Sequence, residues 1–405
     1  MNKLNLILNN CILGFYSGLP LLLLSSTLQA WYIKQGISLI AVGALSLVSL
    51  PYLLKFLWAP FIDYFSFKSK YKRKAWILFC QLMIAVGLIV IAMFEPKNSP
   101  SIMAAIALVI AFFSATLDIA VDAYKQVHTP FNMRATVVAG ANIAYRLAML
   151  LAGGLALIFA DNIGWQSTYN IMAFIMVIGA IYSLFLDDSL PSSDTEIVKE
   201  SLSQQITSSL AHVTRNKLMF KVVILFTLYK MADAFLLMFL QPFLLQGLHY
   251  SLSDVGLIVK IFGTSAVFLG AACAGVYARK ISSRTAMLLV SVLQSLVMLL
   301  FVFCSLYPAK WVVIAAVFLE SFVNGAAICV LVVFIMSLCT TRYAATQIAF
   351  FSAVAAVPRV MLGPICGYFA TVLGWTDFFV LGFILSLPII LLLSKCNNKL
   401  FESTA

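Results

Sequence analysis

The sequence predicts an all-α membrane protein: twelve transmembrane helices in two pseudo-symmetric six-helix bundles, with both termini in the cytoplasm. Three observations carry this. The 405 residues are 63% hydrophobic and only 10% charged, whereas soluble domains are nearer half apolar and about a quarter charged. The apolar runs are continuous and about twenty residues long, which is what a spanning helix needs, and lack the alternation of a membrane barrel. The third is the placement of Lys and Arg, which falls almost entirely on one side of the predicted spans. Eighteen basic loop residues lie on the side of the termini, against Lys34, Lys97 and Lys310 on the other.

The first half, residues 1–186, opens with a span near 7–32, interrupted by Gly14, Gly18 and Pro20. It follows the N-terminus at once and reads as a first helix rather than a removed signal. The second span, 37–59, contains Pro51 and carries Lys55 within about a turn of its cytoplasmic end, from where it is expected to snorkel to the interface. A basic loop with Asp63, Lys70 and Arg73 leads to the third span, 75–94. The fourth, 101–124, carries Asp118 and Asp122 four residues apart, hence on one face. Tyr145, Arg146 and the pair Gly153-Gly154 lie on the fifth, 135–160, and the sixth runs 166–186.

Residues 187–217 form the one long polar stretch and read as a cytoplasmic linker. Its apolar positions from Ile197 to Val213 recur at helical spacing, either as a membrane-surface helix or as one packed on the protein itself. The second half, 218–405, contains spans 218–246, 252–277, 285–306, 311–336, 344–371 and 375–394. Pro242 interrupts the seventh span, and Pro358 and Pro364 the eleventh, as hinges or fixed kinks. Arg146 and Arg359 are 213 residues apart, and Gly164-Trp165 and Gly374-Trp375 are 210 apart. An internal repeat near half the chain length is what two parallel six-helix halves leave behind.

Charges inside spans carry the functional signal. Lys55, Arg146, Lys230, Lys260 and Arg359, with Asp118, Asp122, Asp233 and Glu320, all fall within apolar runs. Each costs about 2.5–3.5 kcal/mol at the centre of an isolated helix, so they face the bundle interior, either as structural ion pairs or lining a wet cavity. Asp118 is expected near Arg146, and Lys230 near Asp233, three residues on. Such a mixed-sign cavity suits a substrate with anionic and neutral polar groups. Carboxyl groups in apolar surroundings can also exchange protons, which makes Asp118, Asp122, Asp233 and Glu320 candidate proton-coupling residues.

Other chemistry is not indicated. The eight cysteines are scattered singly and read as buried apolar residues. No metal-ligand spacing, catalytic arrangement or phosphate-cradling loop appears, so no metal, cofactor or enzymatic activity is expected. The net charge of +11 is topogenic rather than a nucleic-acid patch.

Asp63 with the basic residues after span two resembles the conserved cytoplasmic loop of the major facilitator superfamily, although Arg279 stands where the second copy would carry an acid. More closely, Gly14-Phe15, Ser17-Gly18-Leu19-Pro20 and Thr27-Leu28-Gln29-Ala30-Trp31 resemble the opening of the AmpG-type muropeptide permeases. So do Lys55-Phe56-Leu57-Trp58, Asp118 with Asp122, Tyr145-Arg146-Leu147, Tyr229-Lys230 with Asp233, and Arg359 with Gly363-Pro364. Two departures stand out: Leu117 replaces a glutamine, and familiar members carry further C-terminal membrane segments.

The resemblance implies a monomeric multi-pass protein of the bacterial inner membrane that imports anhydro-muropeptides, together with protons, by alternating access during wall recycling. Gln29, Tyr145, Arg146, Tyr229, Lys230 and Arg359 would bind the sugar-peptide, and Asp63 and Arg73 would gate the cytoplasmic side. The alternatives are an importer of a siderophore or other polar metabolite on the same fold, and a membrane sensor that does not transport.

Overall fold

A backbone in hydrocarbon must satisfy its own hydrogen bonds, which leaves the helix as the local solution for every apolar run. The structure, a computed structural model, describes residues 3–59, 62, 72–130, 133–186, 217–277, 281–338 and 344–395, and these form helices and short connections without a strand. The predicted linker and Asp63 lie outside the described residues.

In chain order the helices are α1 (Lys3–Lys34) and α2 (Leu39–Leu54), α3 (Lys72–Ala92) and α4 (Pro100–His128). Next is α5, which starts as Arg134–Leu150, widens into a π-turn at Leu151–Leu155 and ends as Ala156–Ile163. Then come α6 (Trp165–Ser183), α7 (Lys217–Pro242) with a π-turn at Phe243–Gly247, and α8 (Leu252–Tyr277). The last four are α9 (Ser283–Leu306), α10 (Lys310–Leu338), α11 (Ala344–Met361) and α12 (Gly363–Lys395). Among the described residues, nine helices are long and apolar enough to cross a membrane.

Two of the changes in the helical ladder follow a proline. A proline lacks the N–H that its helix needs, and π-turns follow Pro20 at Leu23–Thr27 and Pro242 at Phe243–Gly247. Gly14 and Gly18 behave differently from the interruptions that the sequence suggests. The helix runs unbroken through both, and a Cβ at either would lie 2.6 Å from a carbonyl oxygen of α5, that of Ala141 or Tyr145. Spaced one turn apart, they form the small-residue face by which helices in lipid approach closely.

The backbone repeats along the chain. Gly36 and His249, 213 residues apart, both take positive φ, 73° and 56°. Two residues later Ser38 and Ser251 each cap the next helix, accepting from the N–H of Ala41 and Asp254. Gly164 (φ 84°, ψ 165°) and Gly374 (φ 75°, ψ 174°) turn the chain in the same way before a tryptophan. That region is essentially closed to other residues, and no heavy atom within 4 Å of either position would meet an added Cβ. The whole penalty of Gly164→Ala or Gly374→Ala is therefore backbone strain, about 1–3 kcal/mol each. Thermal unfolding in detergent should show both variants destabilised; unchanged midpoints would mean that the turns relax without cost.

Two compact units result: Met1–Ile37 with Leu47–Val198 and Ser251–Gly256, and Ser38–Ser46 with Lys199–Tyr250 and Leu257–Ala405. In the first, Trp31 stacks on Trp165 with ring centroids 5.5 Å apart and planes at 5°. Tyr169 donates to the carbonyl of Leu23 at 2.9 Å, where the π-turn of α1 begins. In the second, Phe243 packs against Trp375 and Phe379 at 5.4 and 4.9 Å. Each unit therefore has an aromatic lock beside a π-turn, set by its Gly-Trp corner.

Candidate functional site

Each unit buries one aspartate beside one lysine. In the first, Asp118 on α4 is 9% exposed. Its Oδ1 accepts from Ser17 Oγ of α1, and Lys55 Nζ, just after α2, lies 3.5 Å from Oδ2. The Lys55 side chain, for which the sequence suggests snorkelling, reaches this carboxylate. Two flanking hydrogen bonds pin the end of α2 onto α4: Tyr52 OH to Ser114 Oγ at 2.7 Å, and Trp58 Nε1 to Thr116 Oγ1 at 3.1 Å. These anchors leave Lys55 beside a desolvated carboxylate, a more favourable place for its charge than hydrocarbon.

Arg146, expected to approach Asp118, is exposed on α5; among the described residues, Lys55 and Ser17 reach this carboxylate. Asp122, one turn on, is largely exposed and pairs with Lys125 at 2.6 Å. An exposed pair of this kind contributes little to stability. Gln29 is buried, and Tyr145 packs where α1 meets α5 at Gly18.

In the second unit, Lys230 Nζ lies 2.6 Å from Asp233 Oδ2, both on α7. Asp233 is 7% exposed, and its other oxygen, Oδ1, accepts from Gln294 Nε2 of α9 at 3.4 Å. Glu320 on α10 is 3% exposed and accepts from Ser321 Oγ at 3.0 Å. Asp233, Gln294, Glu320 and Asn324 line a cavity of about 10 Å³, room for roughly one water. Asn324 Oδ1 is buried without a hydrogen-bond partner among the described residues.

Asp233 and Asn324 also line a larger cavity of about 240 Å³. Lys230, Asp233, Asn324 and Arg359 supply its polar lining, and Ala234, Leu237, Ile328, Ala355 and Ala356 its apolar wall. Two cations and an acid on an apolar floor suit an amphipathic anion. Tyr229 is buried and donates to the carbonyl of Ala327 at 3.3 Å, bracing α7 against α10. Arg73 is half-buried at the start of α3.

Sequence reasoning brought Lys230 and Asp233 together and placed Arg359 near them, but it missed Ser17, Gln294, Ser321 and Asn324. Gln294 had a signal: with Ser291 and Ser295 it makes a buried polar stripe on an otherwise apolar α9. Among the described residues, no group of three or more His, Cys, Asp or Glu side chains could hold a metal.

Apolar helices around buried, charge-paired side chains and a polar cavity define a multi-pass membrane transporter, and known proteins agree. Residues 10–361 match the family described as the Major Facilitator Superfamily. The anhydromuropeptide permease of Escherichia coli strain K12 is 35% identical over 391 residues, which cover 96% of this chain and 79% of that protein. The putative transporter AmpG 4 of Rickettsia conorii is 29% identical over 402 residues, 96% of this chain and 95% of that one. The chain belongs to the Major Facilitator Superfamily, among the AmpG-type permeases.

Solved structures share the fold at low identity. The nucleoside transporter NupG superposes with a TM-score of 0.78 at 13% identity, over 97% of this chain and 100% of that one. A D-xylose-proton symporter gives 0.71 at 12% identity, over 98% of each chain.

Proposed function

We propose that this protein is a proton-coupled importer of anhydromuropeptides in the bacterial inner membrane, working by alternating access. The observation that carries the reading is the 240 Å³ cavity in which Lys230 and Arg359 meet the buried carboxyl of Asp233. The relationship to a permease of that substrate over 96% of the chain supports it. The two cations would bind anionic groups of the sugar-peptide, with Gln29, Tyr145, Arg146 and Tyr229 completing the binding residues. Asp118 would carry the proton, with Asp122 as its partner toward the cytoplasm and Glu320 and Asp233 as the acids next in line. Asp63 and Arg73 would close the cytoplasmic side.

Twelve crossings with both termini in the cytoplasm are part of this reading. The last apolar helix, Ala353–Lys395, has 43 residues, about 65 Å of helix against a hydrocarbon core of about 30 Å. It breaks at Gly374 and so counts as two crossings. Counting the shorter α2 and α6 as crossings would bring the total to twelve, and the positive-inside distribution would put both termini in the cytoplasm.

The test is uptake of labelled anhydromuropeptide into vesicles, with and without an imposed proton gradient. Gradient-dependent accumulation is expected. Uptake of a siderophore or another metabolite in its place would move the substrate, binding without uptake would indicate a sensor, and accumulation indifferent to the gradient would remove the protons.

A further inference from the structure

The 240 Å³ cavity of the second unit carries two polar groups, Arg359 and Asn324, that no described residue satisfies. Lys230 is taken by Asp233 at 2.6 Å, and the other oxygen of Asp233 by Gln294. Arg359 is exposed on α11, and among the described residues no carboxylate lies within ion-pair distance of it. Asn324 Oδ1 on α10 is buried without a hydrogen-bond partner among the described residues. A buried carbonyl that pairs with nothing loses its hydration and gains nothing in return. Its partner is therefore a water or a ligand.

The two groups stand at one level. Asn324 lies about 21 Å along α10 from its end at Leu338, and Arg359 about 22 Å along α11 from its start at Ala344, at a rise of about 1.5 Å per residue. Only residues 339–343 join these helices, so they run antiparallel and both distances count from the same end. A carboxylate docked on Arg359, which grips it with two parallel hydrogen bonds, brings the next atoms of the same molecule against Asn324. The remaining wall is Ala234, Leu237, Ile328, Ala355 and Ala356, where sugar hydroxyls would be stranded on hydrocarbon. A secondary amide fits instead. Its N–H and C=O match the two ends of the Asn324 carboxamide, and the methyl or small side chain beside it rests on the alanines. A half-turn about the last side-chain bond presents either end of Asn324.

From this we infer that Asn324 is a specificity-determining residue, which selects substrates with a secondary amide beside the carboxylate that Arg359 holds. The inference rests on the proposed function and deepens it, because the cavity then recognises an acylamido group and not a sugar acid in general. A sugar-peptide offers that group from two sources, an N-acetyl substituent on its sugar or a peptide bond. Both present the same N–H and C=O to Asn324.

Displacement of labelled anhydromuropeptide from the purified full-length protein tests this with three ligands. The first is the parent molecule. In the second, esters replace the peptide bonds; in the third, O-acetyl groups replace the N-acetyl groups of the sugar. Each analogue keeps its carbonyls and carboxylates and lacks only the N–H donors of one source. The unaltered protein should bind at least one analogue about tenfold more weakly than the parent, the loss expected for a hydrogen bond to a buried group. That analogue names the source. In Asn324→Leu, which keeps the volume and removes the carboxamide, the parent should weaken and bind no better than that analogue. A residue that merely held α10 in place would change all three ligands by one factor. Asn324→Ala serves as the second variant should leucine not be accommodated. Equal binding of the three ligands to the unaltered protein, or a preference for the parent that survives in the variants, would overturn the inference. Both outcomes leave the importer reading standing. No binding of the parent to the unaltered protein would overturn the substrate reading and, with it, this inference.

Discussion

Asp118→Asn is expected to abolish gradient-driven accumulation while substrate still binds and exchanges across the membrane. Asp118 sits where α1, α2 and α4 meet, with a hydroxyl on one oxygen and an ammonium at 3.5 Å from the other. Asparagine keeps the shape and can still accept from Ser17, but it can neither release nor take up a proton. If Asp118 carries a proton that brings one net charge inward, a potential of 100 mV supplies about 2.3 kcal/mol, enough for roughly fifty-fold accumulation. The variant should equilibrate at a ratio of about one. Measuring the internal-to-external ratio at a known potential, together with counterflow in its absence, separates a lost proton from a lost site. If the variant still accumulates substrate, Asp118 is an ionised anchor for Lys55, and coupling rests with the second unit.

Much of the architecture was legible because its determinants are local. Apolar run length gives the helices, and the Gly-Trp pairs at Gly164 and Gly374 mark the repeat of the two halves. Lys230 and Asp233 are three residues apart on one helix, so their pairing follows from helical geometry alone.

What was not legible depends on contacts distant in sequence. Lys55 reaches Asp118 because Tyr52 and Trp58 fix the end of α2 against Ser114 and Thr116, residues some sixty positions away. Glu320 and Arg359 lie at similar depths by residue counting. Side-chain direction separates them, Glu320 into the small chamber beside Asp233 and Arg359 into the larger one. Gly14 and Gly18 were ambiguous for a related reason. A glycine in an apolar run reads the same whether it breaks the helix or admits a neighbour, and only the carbonyls of Ala141 and Tyr145 decide between the two.

That second use of glycine leads to the largest expected effect on stability, at the contact of α8 with α10. A Cβ built on Gly270 would lie 1.8 Å from the carbonyl oxygen of Phe322, and one on Gly325 would lie 2.1 Å from that of Val267. The two helices interlock reciprocally, each glycine facing the other's backbone. Helices in lipid gain little from apolar burial against each other and associate through such close packing, so the contact is a main source of their adhesion. Backbone cannot rotate aside as a side chain can, and Gly270→Ala must therefore push the helices apart. Overpacking costs about 1–3 kcal/mol and at times more; the rigid wall here places this variant at the upper end. The shift would also carry Glu320, Ser321 and Asn324 with α10, away from Asp233 and Gln294. Gly270→Ala should lower both the yield of folded protein in the membrane and its unfolding temperature, and should weaken substrate binding. Gly275→Ala, on the same helix, is the control: its Cβ would meet only Cys329 Sγ at 3.8 Å, an ordinary contact. If the two variants are equally stable, α8 and α10 are not held by their backbones at Gly270 and Gly325.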